Sequence, residues 1–329
     1  MRWDGIFLAG LGTWVPPALP VGDIMDPEFC DPGTAEFLGF RHIAVSTTAS
    51  AMEMAERAAL RALAHSQHSP KDIAGVIAVD VSGYDHHAPA MRIQRTVGSA
   101  GIGYELRNAS ASDLAAIFTA ADRLTCDPTS TALLIAAADR FALPKWNRWR
   151  DGGGIILGDA GAALVLSRSP GFARVVAGAY GSAPELEHYG RYSRTRAVRG
   201  HDTYSSFGES AETLRHHTRA VIEAALADTD VSHVDHVAIT GVGRHLIAQL
   251  LPPELCASPY DTTWSYSRNI GHTCADITLG LAHLLRSGRL SAGDHVLAIG
   301  LAVGFSFYAV VLRVEETGPP GKRLQHARR

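Results

Sequence analysis

The stretch Glu105-Leu-Arg-Asn-Ala-Ser-Ala-Ser-Asp-Leu-Ala-Ala-Ile-Phe118 decides the fold, because a short apolar segment turns into a helix here. The segment is Ile102 to Leu106, and from Ala111 to Leu124 apolar side chains recur at three- and four-residue spacings, which indicates a helix. Ser110 lies on the turn between them. A serine at this place is most often an N-cap, because its oxygen accepts an unpaired backbone N–H. At the positive end of a helix it is also a candidate nucleophile.

The pattern returns about 160 residues later, where Ile270-Gly-His-Thr-Cys-Ala-Asp276 leads into another predicted helix. Ser110 lies 31 residues after Val79 in one predicted strand, and His272 lies 32 residues after Thr240 in its counterpart. The two residues therefore occupy equivalent places, each at the N-terminus of the equivalent helix. A pseudo-twofold axis between two α/β halves would bring these helices head to head. We therefore expect Ser110 and His272 to lie close together.

The order of predicted elements divides the chain into an N-terminal half, 1–168, and a C-terminal half, 169–329. Each half begins with a buried strand and an irregular excursion, which an amphipathic helix and a second buried strand follow. The near-continuous apolar character of the buried strands is typical of a parallel sheet covered on both faces. The excursions are expected at 18–48 and 181–206, and the segment 155–166 is expected to form two strands around a glycine bend.

Composition narrows the class of protein. The 329 residues are 46% hydrophobic, enough for a large core, and the net charge of −3 gives no sign of a nucleic-acid surface. Four cysteines lie far apart without a C-x-x-C pair, which favours free thiols in a reducing compartment. No apolar run reaches the roughly 18 residues of a spanning helix, and no signal peptide is evident. We expect a soluble, cytoplasmic protein without membrane or nucleic-acid partners, and without a metal or cofactor.

Five features, in this order along the chain, carry a family resemblance. They are Arg41-His-Ile-Ala44, the strand at Ile73–Val81, the helix start at Tyr104–Asp113, Gly158-Asp-Ala-Gly-Ala-Ala163 and the turn Gly300-Leu-Ala-Val-Gly-Phe305. Together they resemble the condensing enzymes of the ketoacyl synthase III type over nearly the whole chain. The resemblance implies an α/β thiolase fold with five layers, α-β-α-β-α, built from two halves related by a pseudo-twofold axis. It also implies a homodimer.

The resemblance implies three active-site positions, and each holds a different residue here. Ser110 stands where the family has its nucleophilic cysteine, Thr240 where it has a histidine, and His272 where it has an asparagine. In the family the histidine and asparagine stabilise the enolate that forms when a malonyl group loses carbon dioxide. Thr240 is neutral and weaker in that role, which argues against decarboxylative condensation.

The residues that remain are those of acyl transfer. A serine hydroxyl needs an adjacent base, and His272, whose ordinary pKa is about 6.5, is of the right type. Asp276 lies four residues further on, one helical turn away on the same face, and is predicted to orient the ring as in a Ser-His-Asp triad. The backbone N–H groups of Ser110 and Gly304, the latter matching the family's oxyanion glycine, are predicted to hold the oxyanion.

The predicted substrate contacts are Thr240, Arg244 and His245, the last two matching the region where the family meets the pantetheine or phosphate of its donor. The predicted function is transfer of an acyl group from a coenzyme A (CoA) or acyl-carrier-protein thioester to a small-molecule acceptor. The group would pass through acyl-Ser110 to a hydroxyl or amine of a polyketide or antibiotic scaffold. Two alternatives stay open: a starter-unit-selecting ketoacyl synthase III of a polyketide pathway, and a non-catalytic partner subunit of a ketosynthase heterodimer.

Several other side chains compete for a role. Cys274 is the chief rival nucleophile, although its place two residues after His272 favours a packing side chain. The histidine pairs His86-His87 and His216-His217 show no metal-ligand spacing. The arginines in the loop at 191–199 either dock an acidic carrier protein or form a solvated segment.

Overall fold

A computed structural model describes residues 1–151, 155–190, 200–255 and 257–315. The arginine loop at 191–199, the glycines at 152–154, Cys256 and the basic tail lie outside the described residues. The strands are β1 (Phe7–Trp14), β2 (Ala18–Pro20), β3 (His42–Ala44), β4 (Ile73–Val79), β5 (Ile102–Leu106), β6 (Ala132–Asp139), β7 (Ala160–Ser167), β8 (Ala173–Ser182), β9 (His236–Ile239), β10 (His295–Ala302) and β11 (Ser306–Val314). The α-helices are α1 (Val21–Ile24), α2 (Pro32–Leu38), α3 (Ala51–Ser66), α4 (Pro89–Val97), α5 (Ser112–Cys126), α6 (Gly200–Ala227), α7 (Arg244–Leu250), α8 (Trp264–Ser267) and α9 (Asp276–Arg286).

The large sheet repeats one strand order twice. Its order is β5-β4-β6-β7-β1-β8-β11-β10-β9. From β1 outward the pairings are antiparallel, antiparallel and parallel, and the same three pairings run outward from β8. The two runs join where Phe7 and Leu8 of β1 pair with Arg174 and Ala173 of β8. The duplication expected from the sequence is thus visible in the strand order, and residue 168 falls between β7 and β8.

Helices cover both runs of the sheet and fill the space between them. Helix α3 packs against β1, β7 and β6, while α6 packs against β8 and β11 on the opposite outer face. Helices α5 and α9 contact each other and strands of both runs, so they form the middle layer. The result is the predicted five-layer order α-β-α-β-α, with the N-terminal turns of α5 and α9 meeting at its centre.

Local sequence explains how closely α3 lies on the sheet. Ser50 caps the helix and Glu53 bonds back to the Ser50 N–H, so both ends of a capping box are present. Gly12 of β1 faces the helix, and a Cβ there would lie 2.1 Å from the Ala58 carbonyl oxygen. Only glycine permits this approach.

Three segments differ from the prediction. The excursion at 18–48 contains two short strands and two short helices, whose buried Val21, Ala35 and Leu38 pack into the core beside α6. In 155–166 only β7 is a strand, because Leu157 makes an isolated bridge to His272 instead. The excursion at 181–206 contains a 3₁₀-helix, Pro184–Gly190, and the start of α6. The short strands and helices of 18–48 are too brief to show their own periodicity, and their packing into the core decides their form.

Among the described residues, no helix has both the length and the apolar character needed to cross a membrane. The same part of the chain holds no cluster of three metal-ligating side chains.

Candidate active site

The turn that carries Ser110 is built from its neighbours. After β5 the chain passes Asn108 and enters a 3₁₀ turn, Ala109–Ala111, in which Ala109 has φ +43°. The Ser112 hydroxyl accepts the Asn108 N–H at 2.7 Å and donates to the Ala109 carbonyl at 2.7 Å. Ser112 thus fixes the turn and leaves the Ser110 hydroxyl unused by the backbone. A left-handed alanine is strained and typical of a functional turn.

The other half of the chain holds this turn in place. Asn108 donates from its amide to the Tyr308 hydroxyl at 2.9 Å and accepts from the Ser306 hydroxyl at 3.1 Å. Gly300 of β10 lets α5 approach, since a Cβ there would meet the Leu114 side chain at 2.6 Å. The nucleophile candidate is therefore positioned by β10 and β11 as well as by its own helix.

His272 lies in an extended segment before α9. Its N–H donates to the Ile156 carbonyl at 2.8 Å, and its carbonyl accepts from the Gly158 N–H at 3.0 Å. A Cβ on Gly158 would lie 2.0 Å from the Ile270 carbonyl oxygen, so the two backbones pass without room for a side chain. This explains why glycine stands at the start of the Gly158-Asp-Ala-Gly motif.

The three predicted catalytic side chains lie in hydrogen-bond contact with one another in the structure. The Ser110 Oγ lies 2.8 Å from the His272 Nε2, across 162 residues of chain, and the His272 Nδ1 lies 2.6 Å from the Asp276 Oδ2. Their exposed fractions are 7%, 4% and 1%. The alternative cap role of Ser110 and the helical spacing of His272 and Asp276 are not seen in the structure. Ser110 does not cap α5, whose N-cap is Ala111, and His272 is not helical. Asp276 instead begins α9 and reaches back to the ring.

Asp276 is held by two further donors. Its Oδ2 also accepts the Gly241 N–H at 2.7 Å, and its Oδ1 accepts the Thr273 N–H at 3.1 Å. A Cβ on Gly241 would lie 2.9 Å from that Oδ2. These bonds fix the carboxylate, and the carboxylate fixes the ring. With its Nδ1–H donated to Asp276, the His272 ring turns Nε2 towards Ser110 as an acceptor.

The electrostatics favour a basic histidine. Burial alone would lower the pKa of His272, but the charge and hydrogen bond of Asp276 outweigh it, and Asp139 and Asp113 add to them. The net pKa of His272 lies above its ordinary value. The ring is therefore a stronger proton acceptor than a free imidazole.

Sequence reasoning missed two buried carboxylates near the site. Asp139 ends β6 and accepts the Val81 and Ser82 N–H groups with Oδ1 and the Cys274 N–H with Oδ2. Asp113, on the first turn of α5, is also fully buried. The available signal was an acidic residue within an otherwise apolar strand and helix.

Cys274 is not placed as a nucleophile. Its buried thiol donates to the Val79 carbonyl at 3.9 Å. Burial, with the charge of Asp139 next, raises the pKa of the Cys274 thiol well above its usual range. A thiol in this state is unreactive.

The predicted oxyanion donor Gly304 lies in the turn between β10 and β11, with φ +119°. Ser306, two residues on, bonds Asn108 and so ties this turn to the one that carries Ser110. The Ser110 N–H belongs to a first helical turn, where amides lack intrahelical partners. The oxyanion role of both N–H groups stays a prediction.

The three predicted substrate contacts do not share one surface. Thr240 is buried, and its hydroxyl accepts the Leu301 N–H at 3.4 Å beside a small apolar cavity under α6. Arg244 and His245 begin α7 and are half-buried against α2. Arg244 donates to the Phe37 carbonyl at 3.1 Å, and the His245 ring stacks on Phe37 at 3.9 Å.

Solved structures resemble this one over almost the whole chain. ChlB3, described as an acyltransferase, has a TM-score of 0.84 and 27% identity, covering 94% of this chain and 98% of its own. The 3-oxoacyl-(acyl carrier protein) synthase III FabH from Pseudomonas aeruginosa PAO1 has a TM-score of 0.77 and 20% identity, covering 96% and 100%. This likeness shows the thiolase fold in both halves.

Similar sequences point to the same group of proteins as the similar structures. A family model for the C-terminal part of 3-oxoacyl-[acyl-carrier-protein (ACP)] synthase III matches residues 224–314. The beta-ketoacyl-[acyl-carrier-protein] synthase III of Trichodesmium erythraeum is 27% identical over 292 residues, which are 82% of this chain and 85% of the relative. The chain is thus similar to ketoacyl synthase III proteins over most of its length, and its C-terminal part matches their family model. The relatives and structural neighbours are acyl-transferring or condensing enzymes, which is consistent with an acyltransferase.

Proposed function

We propose that this chain is an acyltransferase that carries its acyl group on Ser110. The donor is a CoA or acyl-carrier-protein thioester, and the acceptor is a hydroxyl or amine of a natural product of the polyketide or antibiotic class. The observation that supports this most is the buried line Ser110–His272–Asp276, with contacts of 2.8 and 2.6 Å. Serine, base and orienting acid in this order are the requirements of acyl transfer through a serine ester.

In the first half-reaction the Ser110 Oγ attacks the thioester carbonyl, and its proton passes to the His272 Nε2. The carbonyl oxygen becomes an oxyanion, for which the Ser110 and Gly304 N–H groups are the proposed donors. Collapse of this intermediate breaks the carbon–sulfur bond. The thiolate leaves and takes the proton from His272, so the products are a free thiol and acyl-Ser110.

In the second half-reaction the acceptor takes the place of the thiol. His272 removes a proton from the acceptor hydroxyl or amine as it attacks the ester, and returns that proton to the departing Ser110 Oγ. Asp276 accepts the hydrogen bond from the His272 Nδ1–H and stabilises the imidazolium in both steps. The reaction draws on no cofactor beyond the thioester itself.

A cluster of arginines supports a phosphate-bearing donor. Arg244 bonds Tyr260 and lowers the pKa of its hydroxyl, and Arg268 and Arg41 lower it further through their charges. The Arg268 guanidinium lies over the Tyr260 ring at 4.8 Å. CoA and the phosphopantetheine arm of a carrier protein both carry phosphate, which arginine recognises well.

Two alternative functions fit these residues less well. A starter-selecting ketoacyl synthase needs a donor that stabilises the malonyl enolate, whereas Thr240 is neutral and buried with its hydroxyl against the Leu301 N–H. A non-catalytic partner subunit would have no need for a base. Here His272 is hydrogen-bonded to Ser110, and the pKa of its ring is raised above the ordinary value.

We also propose that the enzyme is a homodimer and works in the cytoplasm. Strand β5 lies at the edge of the large sheet, with Ile102 38% exposed. An exposed edge strand is a ready template for pairing with another strand. A second β5 would continue the sheet across a twofold axis.

The test is covalent acylation. Incubation with acyl-CoA and acyl-carrier-protein thioesters should add one acyl group to the intact mass of the wild type and of Cys274→Ser, and none to Ser110→Ala. An adduct that persists in Ser110→Ala would exclude the serine. Release of carbon dioxide from a malonyl thioester would favour the ketoacyl synthase instead. Activity that appears only with a cysteine-bearing homologue would favour the partner subunit.

A further inference from the structure

The segment that carries His272 and Asp276 is enclosed by carboxylates. Asp276 itself accepts the Thr273 N–H, and Asp139 accepts the Cys274 N–H. A third buried carboxylate, Asp113, comes from α5, and the acyl-transfer steps assign it no role. All three side chains are at most 1% exposed.

Asp113 caps a helix to which it does not belong. Its Oδ2 accepts the Ile277 and Thr278 N–H groups, each at 3.1 Å, and the Thr278 hydroxyl at 3.3 Å. Its Oδ1 accepts the Leu114 N–H of its own helix at 2.8 Å. The N-cap residue of α9, Ala275, offers no side-chain acceptor. Asp113, a residue of α5, therefore supplies the acceptor that an N-cap side chain would supply to the first N–H groups of α9.

This cap joins the two parts of the triad. Asp113 lies three residues after Ser110, and its bonds begin one residue after Asp276. A single carboxylate thus binds the first turn of the nucleophile's helix to the first turn of the acid's helix. A relative shift of these turns would move the Ser110 Oγ away from the His272 Nε2, and a shift of about 1 Å costs roughly a hundredfold in rate.

Burial disfavours the charged form of this cap. Burial raises the pKa of Asp113 to about 7, opposed by the hydrogen bond from the Thr278 backbone and increased by the charge of Asp276. A neutral residue would cap α9 without this penalty. The titratable and charged groups that face this point are Asp276, His272, Asp139 and Cys274.

We propose that Asp113 is a positioning residue for the acyl transfer proposed above. It clamps the first turns of α5 and α9 together so that Ser110 and His272 stay in hydrogen-bond contact. Its charge also favours the imidazolium form of His272. This inference rests on the proposed function, because the clamp matters for rate only if Ser110 is acylated.

Two substitutions and one matched control test the clamp. Asp113→Ala removes the cap and the charge, and should slow acylation at saturating thioester about a hundredfold with little change in KM. Asp113→Asn keeps an oxygen towards Ile277 and Thr278 but removes the charge. It should slow acylation about tenfold and move the midpoint of its pH profile to lower pH. Ser50→Ala removes the cap of α3, away from the site, and should lower stability without changing either quantity.

The outcomes separate the clamp from the function. Wild-type rates and pH midpoints in both Asp113 variants, corrected for folded protein, would overturn the clamp. If the wild type itself is never acylated, the proposed function fails. The clamp is then tested by measuring the pKa of the His272 ring. NMR of labelled histidine, assigned with His272→Gln, should show a lower His272 pKa in Asp113→Asn and an unchanged one in Ser50→Ala. Equal values in all three proteins would overturn it, and Asp113→Asn serves alone if Asp113→Ala does not fold.

Discussion

Replacing Asp276 by asparagine isolates the charge of the third side chain. In the wild type, Oδ2 accepts from the His272 Nδ1 at 2.6 Å and the Gly241 N–H at 2.7 Å, and Oδ1 accepts from the Thr273 N–H at 3.1 Å. An asparagine has one oxygen, so its amide group must face a donor. If the NH₂ group faces the Thr273 N–H, one hydrogen bond is lost. If it faces His272 and Gly241, two hydrogen bonds are lost. The oxygen should therefore stay against His272, which keeps its tautomer, while the negative charge and the hydrogen bond from the Thr273 N–H are lost.

The size of the effect follows from that geometry. Charge centres joined by such a hydrogen bond lie about 4 Å apart, and unit charges at that distance attract by about 4 kcal/mol at an effective dielectric constant of about 20. Removing this stabilisation of the imidazolium should slow acylation about a thousandfold. Quench-flow sampling with intact-mass detection of the acyl-enzyme measures the rate.

The control is Asp72→Asn, because Asp72 is a surface carboxylate bonded to Ser69 and should leave the rate unchanged. Folded Asp276→Asn that acylates within about tenfold of the wild type would refute the charge argument. A loss nearer ten-thousandfold would show instead that the asparagine has turned and fixed the wrong tautomer.

Three further predictions concern the same site. Gly241→Ala places a Cβ 2.9 Å from the Asp276 Oδ2 and should slow acylation about ten- to hundredfold with the fold retained; an unchanged quench-flow rate would contradict it. Because the pKa of His272 is raised and only its neutral form accepts a proton, the acylation rate should rise with pH through a midpoint above about 6.5; a midpoint below that value in stopped-flow measurements would reverse the sign. Gly158→Ala places a Cβ 2.0 Å from the Ile270 carbonyl oxygen, and calorimetry should show its Tm falling by more than about 5 °C; an unchanged Tm would mean that the two backbones separate freely.

The duplication made much of this site predictable. Equivalent spacing placed Ser110 and His272 at matching helix starts, and pseudo-twofold packing brings matching helix starts together. That reasoning needs only the order of long apolar elements, which hydrophobic periodicity reports well. The contact between them, 2.8 Å across 162 residues, agrees with it.

What the sequence did not reveal depends on tertiary contacts. The spacing of His272 and Asp276 resembled a helical pair, yet His272 is extended because Ile156 and Gly158 bond its backbone on both sides. The left-handed conformation of Ala109 has no signature, since alanine ordinarily favours right-handed helix. Asp113 resembled an ordinary acidic residue in the first turn of a helix, because the sequence of α5 does not indicate that its carboxylate accepts N–H groups of another helix.

The most direct test of the central claim is to locate the acyl group. Wild-type enzyme should be quenched after reaction with an acyl thioester and digested, and the modified peptide should be sequenced by tandem mass spectrometry. The acyl group should lie on Ser110, and His272→Gln should carry almost none at the same reaction time. An acyl group on Cys274 or on another residue, or equal acylation in His272→Gln, would contradict the account.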